Sequence, residues 1–451
     1  MTKSGLAIRT LIKIPSVKRA GNSRPEALKK LQEKRFRRIF KHVLVHSPFY
    51  KKLYGQNGIN LANADKIRLE NLPVTDKKMM MENFDAFVCD KNLKLKEIER
   101  FLSDKSNLGK KFKNKHTVFY TSGTTGLKGV FACGPNDWAT VMAMNMTRVI
   151  KARLNPFRKT KMVFIGATDG LYAAVTIAED APRILFDVKT IYINDPTEKL
   201  RKEMENFKPE LLTGYSSSIY LLALEQLAGR LNIGPKKIVC SGDTLTEQMR
   251  ETIRKAFSIY PVNFYAASES MCMAVREEES QTFDLFTDWH CFELLDRNLR
   301  PVASGQPGNL ILTNLYNYAQ PLIRYRMNDQ LAPDYQVRAN PFPKIKTIAG
   351  RQENFLWFQK GETAEFIHPM AIDFSAPGLL KYQAIQEAKN SLLIKIVLKD
   401  EDPESIKSVS GRMKEILAEK GLDNIVNFRI QPVPDIPVDP KTGKFRHIIP
   451  L

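Results

Sequence analysis

Residues 118–130 read VFYTSGTTGLKGV, in which six consecutive threonine, serine and glycine residues are followed two residues later by a lysine. Glycine lets backbone N–H groups approach an anion closely, hydroxyl groups donate further hydrogen bonds, and the lysine adds a mobile positive charge. The spacing fits neither the Walker P-loop, GxxxxGK[ST], nor the dinucleotide fingerprint, GxGxxG. The composition nevertheless predicts a phosphate-binding loop, and the apolar residues before it predict a strand that leads into it.

The composition of the chain sets limits on its class. Its 451 residues, of which 43% are hydrophobic, predict a globular protein of two or three domains. No stretch approaches the roughly 18 apolar residues of a membrane helix, and no secretory signal peptide is visible. The five cysteines are scattered and form no CxxC pair, a pattern that favours reduced thiols and a cytoplasmic location over a disulfide framework.

Positive charge is concentrated at the beginning of the chain. The net charge is +20, and residues 1–54 contain 15 Lys/Arg and two acids, hence 15 − 2 = +13. Such a segment suits nucleic acid, an anionic membrane surface, an acidic protein partner or an organelle presequence, but it also suits a solvated face of ordinary helices. Nucleic-acid binding is therefore kept as the rival function from another class, although we expect it less than catalysis.

Hydrophobic periodicity predicts an α/β fold. Residues 26–46 show a helical period that ends before Ser47-Pro48, and Thr75 or Asp76 is expected to cap a short helix. From about residue 115, short apolar runs alternate with helical ones, which predicts a parallel or mixed sheet covered by helices on its faces. The turn-rich motifs follow strands, so ligands are expected at the carboxyl edge of the sheet. After Gly350-Arg351 the pattern changes to a small α+β unit.

Several motifs resemble the adenylate-forming enzyme superfamily, which includes acyl-CoA synthetases, peptide-synthetase adenylation domains and luciferases. YTSGTTGLKG (residues 120–129) resembles its phosphate loop, and the order of the later motifs SGDTLTE, YAASES, PLIRYRMND and GRQEN also matches. HVLVHSPFYKKLYGQNGI and NLPVTDKKMMMENF resemble the opening of its phenylacetate–CoA ligase-like branch, with the coenzyme F390 synthetase and capsule-biosynthesis adenylate-forming enzymes. The resemblance implies a large multi-sheet domain over residues 1–350, mostly helical over 1–110, joined by a hinge near 351–352 to a small α+β domain over 351–451.

The resemblance implies a set of nucleotide-binding residues. Ser241, Gly242 and Asp243 would contact adenine and ribose, although the same stretch suits a helix N-cap at Thr244 or Thr246. Tyr265 and Ala266 would lie beside adenine. Asp329 would accept both ribose hydroxyls, and Arg351 would reach ribose or phosphate. The phosphates would be held by Thr121, Ser122, Gly123, Thr124, Thr125, Gly126 and Lys128.

The resemblance also implies catalytic, metal and substrate residues. Glu269 would bind Mg²⁺ with Thr125 as the second protein oxygen, since a hard cation prefers oxygen ligands, and Lys444 would meet the substrate carboxylate and the α-phosphate. Some relatives hold zinc after the Tyr-x-x-x-Glu motif, but the spacing of Cys272, His290 and Cys291 disfavours such a site. The acid would be bound by Trp138, Gly214, Tyr215, Ser216 and Ala266.

The implied function is ATP-dependent activation of a carboxylic acid, aryl or arylacetic in type, to an acyl-adenylate with release of pyrophosphate. The acyl group would then pass to coenzyme A. Transfer to an acidic acyl carrier protein or to an amine is the alternative within the same class, and the basic N-terminal segment mildly favours a carrier protein. A non-catalytic member of the family is a further alternative.

Overall fold

The computed structural model describes most of the chain. It covers residues 3–451 except 122–127, 152–156, 169, 193–194, 196, 278, 336–340, 352–355, 361–362, 368–371, 373, 375, 401, 420, 438–445 and 447. Of residues 3, 328, 347, 349–351, 357, 363–366 and 419 only the backbone is described.

Helices dominate the N-terminal region, as its periodicity predicts. The apolar residues of the second helix, among them Phe36, Phe40 and Val43, are buried. Ser47 ends that helix and caps the next one by accepting a hydrogen bond from the Tyr50 backbone N–H. Asp76, one of the two residues predicted as a cap, is the N-cap of the fourth helix. The helices are α1 (Lys3–Gly21), α2 (Pro25–His46), α3 (Pro48–Gly55), α4 (Lys77–Glu82), α5 (Phe84–Phe87) and α6 (Leu95–Ser103).

The glycine-hydroxyl loop joins two antiparallel strands, β1 (Thr117–Tyr120) and β2 (Val130–Cys133). Tyr120 pairs with Val130, so the loop begins and ends at neighbouring backbone positions. Both strands are almost entirely buried: one face packs in a separate apolar cluster with α6, and the other face, with Phe119 and Phe131, packs in the main core. A buried hairpin base therefore fixes the two ends of the predicted phosphate loop.

A mixed sheet of eleven strands forms the body of the fold, in the order β10-β11-β12-β13-β9-β8-β7-β6-β5-β3-β4. The segment from β4 through β3, β5 and β6 to β7 is parallel, and the remaining strands are antiparallel. The strands are β3 (Thr160–Gly166), β4 (Phe186–Tyr192), β5 (Leu211–Tyr215), β6 (Lys237–Ser241), β7 (Val262–Tyr265), β8 (Ala274–Arg276), β9 (Phe283–Leu285), β10 (His290–Leu295), β11 (Gly308–Asn314), β12 (Tyr325–Asp334) and β13 (Lys344–Arg351).

Helices of this region bury the two faces of the sheet in separate cores. One core joins β3, β5 and β6 to the helices α9 to α11, and the other joins the N-terminal helices to the antiparallel strands. Thr246 caps α11 by accepting from the Met249 backbone N–H, as predicted. The helices are α7 (Pro135–Met144), α8 (Ala173–Glu179), α9 (Thr197–Phe207), α10 (Ser216–Leu227) and α11 (Glu247–Phe257), and a π-helical turn over Asn145–Val149 extends α7.

The last hundred residues form their own apolar core, whose buried members all lie between Leu356 and Ile448. A four-stranded sheet in the order β18-β17-β16-β19 packs with a long helix of this region. The elements are β14 (Leu356–Lys360), β15 (Thr363–Ile367), β16 (Leu379–Ala388), β17 (Ser391–Leu398), α12 (Pro403–Glu419), β18 (Asn427–Pro432) and β19 (Ile448–Ile449). The α/β class, with a large sheet and a small α+β unit, is thereby confirmed.

Throughout the part of the chain that the structure describes, we find no helix with both the length and the apolar character that crossing a bilayer requires.

Candidate active site

A cavity of about 140 Å³ opens at the carboxyl ends of the parallel strands. Tyr215 at the end of β5, Ser241 at the end of β6 and Ala266 just after β7 line it, which agrees with the rule for ligand sites in such sheets. Its inner wall consists of Met162 and Phe164 from β3 and small or aliphatic side chains of α8. Among the described residues that line it, none carries a charged side chain. The cavity therefore suits an uncharged, mainly apolar group.

The π-helical turn after α7 contributes a side of this cavity. Asn145 and Val149 belong to the turn and line the cavity together with Ile150. One-turn π-helices inside α-helices are often found at functional sites, because the extra residue redirects a side chain. The sequence pattern predicts only a helix here, so Asn145 is a site residue that sequence reasoning missed.

Tyr265 and Asp329 come together at the edge of the sheet. The Tyr265 hydroxyl donates a hydrogen bond of 2.6 Å to Asp329 Oδ2. Tyr265 ends β7, Asp329 lies in β12, and the Asp329 side chain is buried. Both residues were predicted to contact the nucleoside, and the structure places them in direct contact with each other.

Glu269 lies immediately after the cavity residues Ala266–Ser268. Its side chain is only 9% exposed, and its Oε1 atom is 3.7 Å from the Lys77 ammonium at the start of α4. Its Oε2 atom is buried without a hydrogen-bond partner among the described residues. Buried polar atoms normally have a partner. The lone oxygen therefore marks Glu269 as a position where a bound group would complete the coordination.

Lys77 is the second site residue that sequence reasoning missed. Its aliphatic stem lies against Gly129, where a methyl group in place of the glycine hydrogen would come within 3.3 Å of Lys77 Cε. The ammonium group is thus held between Glu269 and the returning end of the glycine-hydroxyl loop. The segment NLPVTDKKMMMENF, which contains Lys77, resembles the phenylacetate–CoA ligase-like branch, and this was the available signal.

A buried hydrogen-bond network supports the residue next to Glu269. Ser270 Oγ is bonded by His290 Nε2 at 2.9 Å, by Asn314 Nδ2 at 2.9 Å and by the Tyr316 hydroxyl at 3.3 Å. The Tyr316 hydroxyl also accepts from the Met271 backbone N–H at 2.9 Å. Complete burial lowers the pKa of His290 to about 4. A neutral histidine and three other polar groups thereby fix the turn that carries Glu269.

The same network bears on the zinc alternative. Both ring nitrogens of His290 are within 2.9 Å of protein oxygens, those of Ser270 and of the Phe286 carbonyl. Burial raises the pKa of the Cys272 and Cys291 thiols, which disfavours the thiolate that zinc requires. Within the described ranges, no group of three metal-ligating side chains is found.

The interior of the glycine-hydroxyl loop, comprising Ser122, Gly123, Thr124, Thr125 and Gly126, lies outside the described residues. Its first residue, Thr121, is buried, lines the cavity and accepts a hydrogen bond of 2.9 Å from the Gly129 backbone N–H. Lys128 is exposed, with its ammonium 5.6 Å from the centre of the Tyr120 ring. The loop thus starts at the cavity and returns beside Lys77.

Asp243 serves as a cap for a neighbouring helix. Its Oδ1 atom accepts from the Ser216 backbone N–H at 2.6 Å, and its Oδ2 atom accepts from the Ser217 backbone N–H at 3.3 Å. These are first-turn donors of α10, which have no partner inside the helix. Ser241 and Gly242, which were predicted to contact the nucleotide, line the cavity. Gly242 needs to be glycine because its φ is +82° and a Cβ would meet the Tyr215 ring at 2.7 Å.

The structure does not bring three of the predicted acid-binding residues to the cavity wall. Trp138 is fully buried, its indole N–H donates 2.7 Å to Asp180 Oδ2, and it is absent from the lining. Ser216 is fully buried at the start of α10, and Gly214 packs so closely on β3 that a Cβ would lie 2.0 Å from the Ile165 carbonyl oxygen. Tyr215 and Ala266 do line the cavity. The resemblance places residues along the chain, but burial decides which of them face the ligand.

Two further predicted residues remain without a described side chain. Arg351 ends β13 opposite Asp329, with which it is paired in the backbone register, but its side chain is outside the description. Lys444 lies entirely outside the described residues.

Comparison with known proteins identifies relatives that cover most of the chain. It is 24% identical over 439 residues to Protein CapK of Staphylococcus aureus, a match that spans 93% of this chain and 88% of CapK. It is 26% identical over 349 residues to the phenylacetate–coenzyme A ligase of Pseudomonas putida, spanning 73% and 72%. No protein-family model matches the chain.

Solved structures with the same fold include coenzyme A ligases and an amide bond synthetase. For 2-hydroxyisobutyryl-CoA ligase in the postadenylation state the TM-score is 0.74 at 18% identity, over 96% of this chain and 91% of that one. The same ligase in the thioesterification state gives a TM-score of 0.58 at 18% identity, with the same coverage. The chain therefore has the fold of the adenylate-forming acyl-CoA ligases, and its sequence relatives are phenylacetate–coenzyme A ligases and CapK.

Proposed function

We propose that this chain activates a carboxylic acid with ATP to an acyl-adenylate and then transfers the acyl group to coenzyme A. One observation carries the proposal: a buried carboxylate oxygen of Glu269 has no partner among the described residues, and Glu269 directly follows Ala266–Ser268, which line the uncharged cavity together with Thr121, the first residue of the glycine-hydroxyl loop. The similarity to phenylacetate–coenzyme A ligases over 73% of the chain supports it.

The proposed chemistry overcomes the poor leaving group of a carboxylate. A carboxylate oxygen attacks the α-phosphorus of ATP, the bond from that phosphorus to the bridging oxygen breaks, and pyrophosphate leaves with the electron pair. The acyl carbon then carries AMP, which a thiol displaces readily. Because two anions must meet, the site has to supply positive charge and N–H donors in fixed positions.

The described residues can bind and orient the nucleotide. In the proposal, Asp329, already oriented by Tyr265, accepts the ribose hydroxyls, since a carboxylate is an acceptor-only group. The Tyr265 ring is available to the adenine. Ser241 and Gly242 border the base, and Asp243 acts through α10 by fixing the position of Tyr215 and Ser216 rather than by touching the nucleotide.

Glu269 fits a divalent cation. Its Oε2 atom is buried and lacks a partner in the described part of the molecule, and carboxylate oxygen is the ligand type that Mg²⁺ prefers. We propose Glu269 and Thr125 as the protein ligands. When bound, Mg²⁺ would neutralise charge on the triphosphate. Lys77 already supplies one positive charge at the same place, 3.7 Å from Glu269.

The phosphate loop (residues 121–128), Arg351 and Lys444 keep their predicted roles as part of this proposal. We propose that a domain of residues 351–451 delivers Lys444 and pivots near 351–352 between the two half-reactions. The separate apolar core of residues 356–448 supports a unit that moves as one body. The hydrogen bond from the Tyr220 hydroxyl to the Leu380 carbonyl, 3.0 Å long, joins the two parts in the present arrangement.

The cavity favours a single aromatic or similarly sized apolar group. A volume of about 140 Å³ is close to that of an engineered protein cavity of about 150 Å³ that binds benzene. No charged side chain among the described lining residues is available to pair with a second carboxylate or an ammonium group on the acid. An aryl or arylacetic acid therefore fits the proposal best.

The free state of all five cysteines supports a reducing, cytoplasmic location.

Pyrophosphate exchange tests the first half-reaction. Purified protein is incubated with ATP, labelled pyrophosphate and single carboxylic acids, and label entering ATP is measured. We expect exchange with monocarboxylic aryl or arylacetic acids and not with dicarboxylic acids of the same size. The Lys444→Ala variant should lose about 10²–10³-fold in rate, whereas the neighbouring Lys441→Ala variant serves as a matched control.

The second half-reaction is tested by thioester formation with coenzyme A, compared with a carrier protein and with amines as acceptors. Pyrophosphate exchange without thioester formation on coenzyme A would mean that the acyl acceptor is a carrier protein or an amine. Absence of exchange with every acid would mean that the chain is a non-catalytic relative. Tight, steeply salt-dependent binding to DNA in that case would favour the nucleic-acid function.

A further inference from the structure

Helix α1 exposes an apolar stripe. Ile8, Leu11 and Ile12 are 60%, 43% and 70% exposed, and Pro15 is exposed beside them. At 100° per residue these four positions fall within an arc of about 100° on the helix surface. Of the eleven large apolar side chains that are exposed in the described structure, three lie within residues 8–12. Single exposed apolar residues are ordinary, but a cluster of this kind marks an interaction surface.

The stripe remains exposed even though α1 is part of the folded protein. Leu6 and Val17, on the opposite face of the helix, are buried in the main core. The Arg148 guanidinium donates to the Val17 carbonyl at 3.0 Å, and Arg9 donates to Asn136 Oδ1 of α7 at 2.9 Å. The helix is therefore held by one face, and the other face is exposed among the residues that the structure describes.

The charged residues of α1 are all basic. The first 25 residues contain six Lys/Arg and no acid. Lys18 and Arg19 are exposed at the C-terminal end of α1, whereas Arg9 and Lys13 lie toward α7. An exposed apolar stripe with cations at one end of the helix suits the interface of an anionic bilayer, where apolar side chains enter the headgroup region and the cations meet lipid phosphates.

We propose that α1 docks the protein on an anionic lipid surface, with Ile8, Leu11, Ile12 and Pro15 in the headgroup region and Lys18 and Arg19 against lipid phosphates. The charge argues for lipid over a second copy of the chain. A symmetric contact between two copies would place two strongly basic surfaces together, in a molecule whose net charge is already +20. This inference does not depend on the proposed reaction.

Sedimentation with lipid vesicles tests the proposal with the full chain. We expect binding to vesicles of phosphatidylcholine with about 30% phosphatidylglycerol, and little binding to phosphatidylcholine alone. A basic residue near an anionic surface contributes on the order of fivefold in affinity. The Lys18→Glu/Arg19→Glu variant should therefore bind at least about 25-fold more weakly, and the Ile8→Ser/Leu11→Ser/Ile12→Ser variant about 100-fold more weakly.

Matched controls make the same changes elsewhere on the surface. Lys91→Glu/Lys96→Glu removes two exposed charges, and Leu61→Ser/Ile184→Ser/Leu227→Ser removes three scattered exposed apolar side chains. These variants should bind vesicles like the unaltered protein, and all variants should retain its thermal unfolding midpoint.

Three results would overturn the proposal. The first is the absence of binding to anionic vesicles, and the second is an equal loss of binding in the control variants. The third is a set of α1 variants that bind vesicles normally but are altered in another property. A change in oligomeric state would then assign the stripe to a second copy of the chain, and a loss of DNA binding would assign it to nucleic acid.

Discussion

Replacement of Lys77 by methionine removes the one described cation that contacts Glu269 while keeping the length of the side chain. The Lys77 ammonium lies 3.7 Å from Glu269 Oε1, and the two side chains are 21% and 9% exposed. At an effective dielectric constant near 20, two unit charges at this distance attract by about 4 kcal/mol. Partial exposure and the desolvation of both groups reduce the net value, so we expect a loss of about 2 kcal/mol in the free energy of unfolding.

The same change is expected to weaken ATP binding. The lysine stem packs against Gly129, so the ammonium lies at the end of the proposed phosphate loop. A charge-assisted hydrogen bond to phosphate contributes about 1.5–3 kcal/mol, which corresponds to a rise of roughly 10–100-fold in KM for ATP. Pyrophosphate exchange at varied ATP gives KM, and urea unfolding gives the stability.

Lys78 provides the matched control. It is the next residue along α4, its side chain is 76% exposed, and its contact is an ordinary surface pair with Glu82 at 3.9 Å. Lys78→Met should change the free energy of unfolding by no more than about 0.5 kcal/mol, and KM for ATP by no more than the fold-change that this energy corresponds to. Equal effects of Lys77→Met and Lys78→Met would refute the argument. So would a lower magnesium requirement in Lys77→Met without any rise in KM for ATP, because Lys77 would then only compete with the metal for Glu269.

Substitutions at three other positions test separate parts of the site. Tyr265→Phe removes the 2.6 Å hydrogen bond to Asp329, so KM for ATP in pyrophosphate exchange should rise about tenfold; an unchanged KM would contradict the role given to Asp329. Asp243→Ala removes both caps of α10 and should lower the urea unfolding free energy by about 2 kcal/mol, whereas Asp243→Asn, which keeps an acceptor oxygen, should lose about half of that. The pKa of His290 is about 4 in the fold and 6.5 ordinarily, so the unfolded chain binds a proton that the folded chain does not between these values. The unaltered protein should therefore lose about 2–3 kcal/mol relative to His290→Gln between pH 7 and pH 4.5, and parallel stability curves would show that His290 is not buried as a neutral group.

Local structure was predictable because short-range forces specify it. The apolar period of α2, the Ser47-Pro48 stop, the caps at Asp76 and Thr246 and the strand before the glycine-hydroxyl loop were all visible in the sequence, and the structure confirms them. Each depends on residues within a few positions of one another, where side-chain spacing and capping hydrogen bonds act directly.

Residue identity also determined which groups are able to bind a nucleotide, because hydroxyls, glycines and carboxylates carry that capacity in any fold. The sequence motifs predicted which residues share the nucleotide site, but not the direct contacts between their side chains. The antiparallel extension of the sheet brings Asp329 to Tyr265, and the packing of α4 brings Lys77 to Glu269. Burial turned Trp138 toward Asp180 and away from the cavity. Contacts between distant segments follow from strand order and from the competition of side chains for the core, which only the assembled tertiary structure resolves.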